Sequence, residues 1–75
     1  MTLNNFIEGL MTLRPFYEDP NGHHIEAGHD QFYAHTTDTP LTDEALFRMR
    51  ELGWYQPDAL ENEPYDPQDG WIAFT

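Results

Sequence analysis

The stretch "HHIEAGHD" gathers His23, His24, Glu26, His29 and Asp30 within eight positions, with His35 close behind. Imidazole nitrogens and carboxylate oxygens ligate zinc, and a zinc site needs three or four of them converging from fixed positions. Adjacent His23 and His24 would point to opposite faces of an extended chain, so one of them is lost to any single site. No HExxH pair is present to place two imidazoles on one helix face. The longer run "DPNGHHIEAGHD" opens like a calcium loop, yet it lacks Gly at the sixth place and Glu at the twelfth. These residues therefore read as exposed polar groups of a hairpin, and neither a metal nor a cofactor is expected. A small metal-binding protein built on the histidines is the least favoured of three readings.

The second chemistry is charge. From Glu51 to Trp71 the chain reads "ELGWYQPDALENEPYDPQDGW", with six carboxylates, three prolines and no basic residue. Within it Asp58, Glu61, Glu63, Asp66 and Asp69 recur every two or three positions. An extended chain advances at most about 3.6 Å per residue, which spaces such carboxylates roughly 7–11 Å apart. Duplex DNA carries a phosphate about every 3.4 Å along each strand, so the acids match the scale of alternate phosphates. Pro57, Pro64 and Pro67 each fix φ and stiffen the connection. Stiffness lowers the entropic cost of presenting charges to a partner. Glu44 and Glu51 extend the field on the helix side, while Tyr65, Trp54 and Tyr55 offer apolar contact. The plainer alternative is a solvated loop that keeps an aromatic-rich chain in solution.

Catalytic arrangements are missing. The sequence contains no serine and no cysteine, so neither a seryl nor a thiol nucleophile exists, and no Gly-rich phosphate loop appears. Asp66 and Asp69 as a carboxylate pair would need an enclosing cleft with positioned supports, which a chain of 75 residues is ill equipped to build. The protein is not expected to be an enzyme.

The elements that must hold these residues come from one domain spanning residues 1–75. Fourteen acids face three arginines and no lysine, for a formal charge of -11. High charge favours disorder, but eleven aromatics argue for a packed core, because each ring buries a large area. An acidic surface is repelled by nucleic acid and by anionic lipid, so the expected partner is a basic protein. No apolar run approaches the roughly 20 residues that span a bilayer. The N-terminal "MTLNNFIEGL" lacks the basic and continuously apolar regions of a signal peptide, and a cytoplasmic location is expected.

"TLNNFIEGLMTL" predicts a helix capped by Thr2, with Leu3, Phe6, Ile7, Leu10 and Leu13 turned inward and Pro15 ending the run. "EDPNG" predicts a turn in which Asn21-Gly22 tolerates positive φ. "HHIEA" and "QFYAHTT" predict two strands joined through Gly28, with either Phe32 and Ala34 or Tyr33 and His35 facing inward. "PLTDEALFRMRELGW" predicts a helix from about Asp43 to Leu52, capped by Thr42 and stapled by Leu41 against Leu46, with Gly53 at its left-handed end. Its inward face is Ala45, Leu46, Met49 and Leu52, which turns Phe47 outward as a contact residue. "GWYQ" and "GWIAF" predict strands flanking the acidic connection. The fold class is α+β: a small antiparallel sheet of three to four strands with two helices on one face, in the order α-β-β-α-β-β.

A small acidic domain that opens on an amphipathic helix and closes on "LGW…YDP…GWIAF" resembles small proteins encoded by phages and mobile elements. Anti-CRISPR inhibitors are among them, several of which imitate nucleic acid. The resemblance implies action inside a bacterium on a CRISPR effector subunit or another basic DNA-binding protein. The expected function is an inhibitor that occupies a DNA-binding surface. The expected contact set is Glu44, Phe47, Glu51, Asp58, Glu61, Glu63, Tyr65, Asp66 and Asp69. The competing expectation is an antitoxin-like or immunity-like module that binds a basic partner without mimicry.

Overall fold

A computed structural model describes residues 1–56 and 65–74. The first helix, α1, spans Leu3–Leu13. Thr2 caps it through its hydroxyl, which accepts the Asn5 N–H at 3.1 Å. Pro15 does not force an extended residue before it: Arg14 stays helical, and the chain tightens into one 3-10 turn over Arg14–Phe16. Asp19 then closes the "EDPNG" turn twice. Its carbonyl accepts the Gly22 N–H at 3.0 Å, and its carboxylate accepts the Asn21 N–H at 2.9 Å. Neither Asn21 nor Gly22 adopts positive φ, so the turn rests on Pro20 and the aspartate rather than on left-handed backbone.

Strands β1 (Ile25–Ala27) and β2 (Gln31–Ala34) form an antiparallel hairpin. Strand β3 (Trp71–Phe74) pairs antiparallel with the other side of β2, giving the order β1-β2-β3. The register places Ile25, Ala34 and Trp71 on one face, and Glu26, Tyr33 and Ile72 on the other. Ala34, Trp71 and Ala73 are fully buried, which selects the face of Phe32 and Ala34 as the inner one. The expected strand "GWYQ" contracts to a single bridge, Tyr55 to Ile72, along the free side of β3. Its neighbours are committed elsewhere: Trp54 closes the preceding helix and Gln56 turns its amide onto Asp66.

The second helix, α2, spans Asp43–Glu51, and Thr42 accepts the Ala45 N–H at 3.2 Å as its cap. Its far end is closed by two bonds, Gly53 N–H to the Arg50 carbonyl and Trp54 N–H to the Met49 carbonyl. That geometry needs a left-handed residue, and Gly53 supplies it at φ 91°. Leu41, Ala45, Met49 and Leu52 join Leu13, Trp54 and the inner sheet residues in one core, with Phe6, Leu10 and Leu46 packed at its margin. Both helices therefore cover the same sheet face.

The rotation of α1 differs from the expectation. Leu3 and Ile7 do not face the core; they are 72% and 44% exposed. Gly9 is the reason. The Trp54 indole lies directly against that glycine, stacks on Phe6 at 5.7 Å and donates its N–H to the Asn5 carbonyl at 3.2 Å. The helix turns its glycine side to the largest core ring, and Leu3 and Ile7 rotate outward as a consequence.

Candidate functional site

The acids and aromatics fall into two groups with a bridge between them. The first lies on α2. Glu44, Phe47 and Glu51 line a shallow groove together with Arg48, Thr42 and Thr12 of α1. They share this side because positions three and four apart on a helix are neighbours. Phe47 is 64% exposed, as its place opposite Met49 and Leu52 requires. Arg48 is held by the carboxylate of Glu8 on α1 and lies 3.8 Å from Glu51.

The second group belongs to the returning segment. Asp66 and Asp69 border a depression with Thr36, Thr37 and Gln68. Gln56 fixes this segment from beneath: its buried amide donates to the Asp66 carbonyl at 2.6 Å and accepts the Asp66 N–H at 2.7 Å. A side-chain amide presents the same donor and acceptor as a peptide, so Gln56 acts as one rung of a missing strand. The carboxylates then shape the turn. Asp66 accepts the Gln68 N–H at 2.8 Å, and Asp69 accepts the Gly70 N–H at 2.9 Å.

Tyr65 bridges the groups. Its ring meets Trp71 edge-on at 5.2 Å and lies 5.0 Å beneath the Arg50 guanidinium. It is half-buried, so it serves packing as well as surface. Two of the three arginines are thus held within the fold, Arg48 by carboxylates and Arg50 by an aromatic face. Asp58, Glu61 and Glu63 lie outside the described residues. An acid overlooked in the sequence reading is Asp38. Gln68 reaches toward both the Thr37 and Asp38 carbonyls, bringing Asp38 to the end that carries Asp66 and Asp69. Sequence distance conceals it, because Asp38 stands 28 positions from Asp66.

The histidines are dispersed into separate roles. His24 stacks on Tyr17 at 4.2 Å, and its Nε2 donates to the Asp19 carbonyl at 2.5 Å. His35 Nε2 lies 3.5 Å from Glu26, while His23 and His29 are exposed. Among the described residues no group of three or more such side chains converges on a metal-sized site. Tyr17 donates its hydroxyl to the His35 carbonyl at 2.6 Å. Burial, reinforced by Asp38 and Tyr33, pushes its phenol up to about 12. Among the described residues no helix is long and apolar enough to cross a membrane.

Comparison with protein-family models, with curated proteins and with solved structures finds no match for this chain.

Proposed function

We propose that this protein is a stoichiometric inhibitor that occupies the basic, DNA-contacting surface of a bacterial defence complex, acting in the cytosol as a nucleic-acid mimic. The observation that carries the reading is uncompensated charge. Fourteen acids stand against three arginines, and among the described residues the arginine–carboxylate pairs use only Glu8 and Glu51. Lys and Arg side chains that otherwise hold phosphate would pair with Glu44, Asp66, Asp69 and the acids between residues 57 and 64. Anchoring of the 65–69 segment by Gln56 supports it, since a fixed carboxylate costs less entropy to engage than a free one. A second reading rests on Phe47. Its exposure between Glu44 and Glu51 suits an aromatic anchor in a partner's pocket, as in a non-mimetic interaction module.

The test titrates the protein against a CRISPR effector complex with and without its target DNA. Mimicry expects mutual exclusion with DNA, and binding that weakens as salt rises. Asp66→Asn and Asp69→Asn remove charge while keeping an acceptor for the turn. Lysine serves for Glu44, Asp58, Glu61 and Glu63. Full inhibition by the neutralised set, or simultaneous binding of DNA and protein, would refute mimicry. Simultaneous binding abolished by Phe47→Ala would support the interaction module instead.

A further inference from the structure

We infer that α1 carries a self-association surface, and that its occupant is the same helix of a second copy of this chain. The inference goes beyond the inhibitor reading and does not depend on it.

At about 100° per residue, the apolar arc of α1 runs from Leu13 through Phe6, Leu10, Leu3 and Ile7 to Met11, roughly 160° of the helix. The fold uses only part of it. Phe6 meets Phe32 of the sheet at 4.9 Å, Gly9 receives Trp54, and Glu8 on the far flank is tied to Arg48 of α2. Leu3, Ile7 and Met11 remain outside, the last 66% exposed. An amphipathic helix ordinarily has its apolar face covered; this one leaves the Leu3, Ile7 and Met11 side of the arc bare.

Charge selects the occupant. The first 17 residues hold one acid, Glu8, and one arginine, Arg14, so the whole excess of -11 lies beyond them. A basic partner drawn to this protein finds no counter-charge along this stripe. A second copy does find its match there, because one uncharged apolar ridge meets another of the same kind. Geometry agrees. Leu3, Ile7 and Met11 form one ridge spaced by four residues, the row that interdigitates with its own kind in the commonest helix pairing. In an antiparallel two-fold pair Ile7 meets Ile7 of the other copy, and Leu3 meets Met11. Beside Leu3 an open apolar recess of about 280 Å³ is lined by Met1, Phe6, Phe32 and Phe74. A methionine, unbranched and adaptable, suits such a recess. Met11 of the second copy would enter it, and symmetry repeats the contact.

An 11-residue helix is about 16 Å long, so the contact covers a few hundred Å² per copy against the roughly 800 Å² of a standard interface. The dimer is therefore weak. Because two bodies of charge -11 repel, salt strengthens it.

Sedimentation of the full chain from micromolar to millimolar concentration, at low and high salt, tests this. A monomer–dimer equilibrium about tenfold tighter at high salt is expected. Ile7→Asp, which sets two carboxylates face to face, should weaken it at least tenfold while far-ultraviolet dichroism stays unchanged. If that variant misfolds, Met11→Asn probes the same ridge. The sequence has no cysteine, so introduced thiols report the geometry cleanly. Ile7→Cys alone should cross-link through a short bismaleimide, and Leu3→Cys should link to Met11→Cys in a mixture. Thr36→Cys, exposed and distant in sequence, serves as the control. A chain that stays monomeric at millimolar concentration and high salt would overturn the inference. So would Ile7→Cys linking no faster than Thr36→Cys, or a monomer that partitions onto phosphatidylcholine vesicles.

Discussion

Replacing Gly9 by alanine should destabilise the protein, against the ordinary trend for helices. In an exposed helix interior the change gains about 1 kcal/mol, because glycine loses more backbone entropy than alanine. Here a methyl group at position 9 would sit 2.0 Å from Trp54 Nε1 and 2.4 Å from Cε2, far inside contact distance. The indole has nowhere to go: it is fully buried, stacked on Phe6 and hydrogen-bonded to Asn5. Overpacking of this kind costs about 1–3 kcal/mol. Losing the bond from the indole N–H adds about 1–3 kcal/mol if that donor stays buried. Offset by the propensity gain, the net loss is about 1–5 kcal/mol, and each kcal/mol lowers the melting temperature by about 4–8 °C in a domain of this size. Thermal and urea unfolding followed by tryptophan fluorescence would measure it. A Gly9→Ala variant that melts higher than wild type would show that propensity wins, and would remove the glycine contact as the cause of the α1 rotation.

Three further outcomes are expected. Phe47→Ala should change stability by less than about 0.5 kcal/mol in chemical unfolding, against the 3–5 kcal/mol typical of a buried phenylalanine; a large loss would place the ring in the core. Gln56→Leu keeps the volume but strands the Asp66 N–H and carbonyl, and should cost about 2–3 kcal/mol; a neutral result would mean water replaces the clamp. Tyr17 binds its proton more tightly folded than unfolded, so its contribution is complete below pH 10 and is lost as pH rises through about 12. Tyrosinate absorbance should show one of the four tyrosines titrating late in the folded chain, and Tyr17→Phe should flatten the alkaline loss of stability. Four tyrosines titrating together would contradict this.

Chemistry decided by neighbours was legible at α2 but not everywhere: Asn21 and Gly22 avoid positive φ, and Arg14 stays helical before Pro15. Thr42, the acids after it, the arginines near the end and Gly53 mark α2, and its observed bounds differ from the expected ones by a single residue. The outward direction of Phe47 followed from periodicity alone. The rotation of α1 was not legible, because it is set by Trp54, which lies 49 positions from the Asn5 carbonyl it bonds. The same holds for Gln56, whose type suggests an exposed polar residue and whose burial depends on a segment that returns ten positions later. The candidate surface divides the same way. Its acids were identifiable by type, but the proximity of Asp38 to Asp66 and Asp69 exists only through the tertiary route of Gln68.

Strand β3 is the last described element along the chain, yet it lies between β2 and the Tyr55 bridge and supplies fully buried Trp71 and Ala73. During translation, everything up to Gly70 is therefore made before the strand that joins the two halves exists. A nascent chain at that stage has an open β2 edge and lacks Trp71 and Ala73 beneath its helices, a state prone to pairing with other chains. Folding must wait for Phe74 to emerge and then proceed as one cooperative event rather than element by element. Speed of folding once that strand is available, more than final stability, would then govern how much of this protein reaches its folded form in a crowded cell.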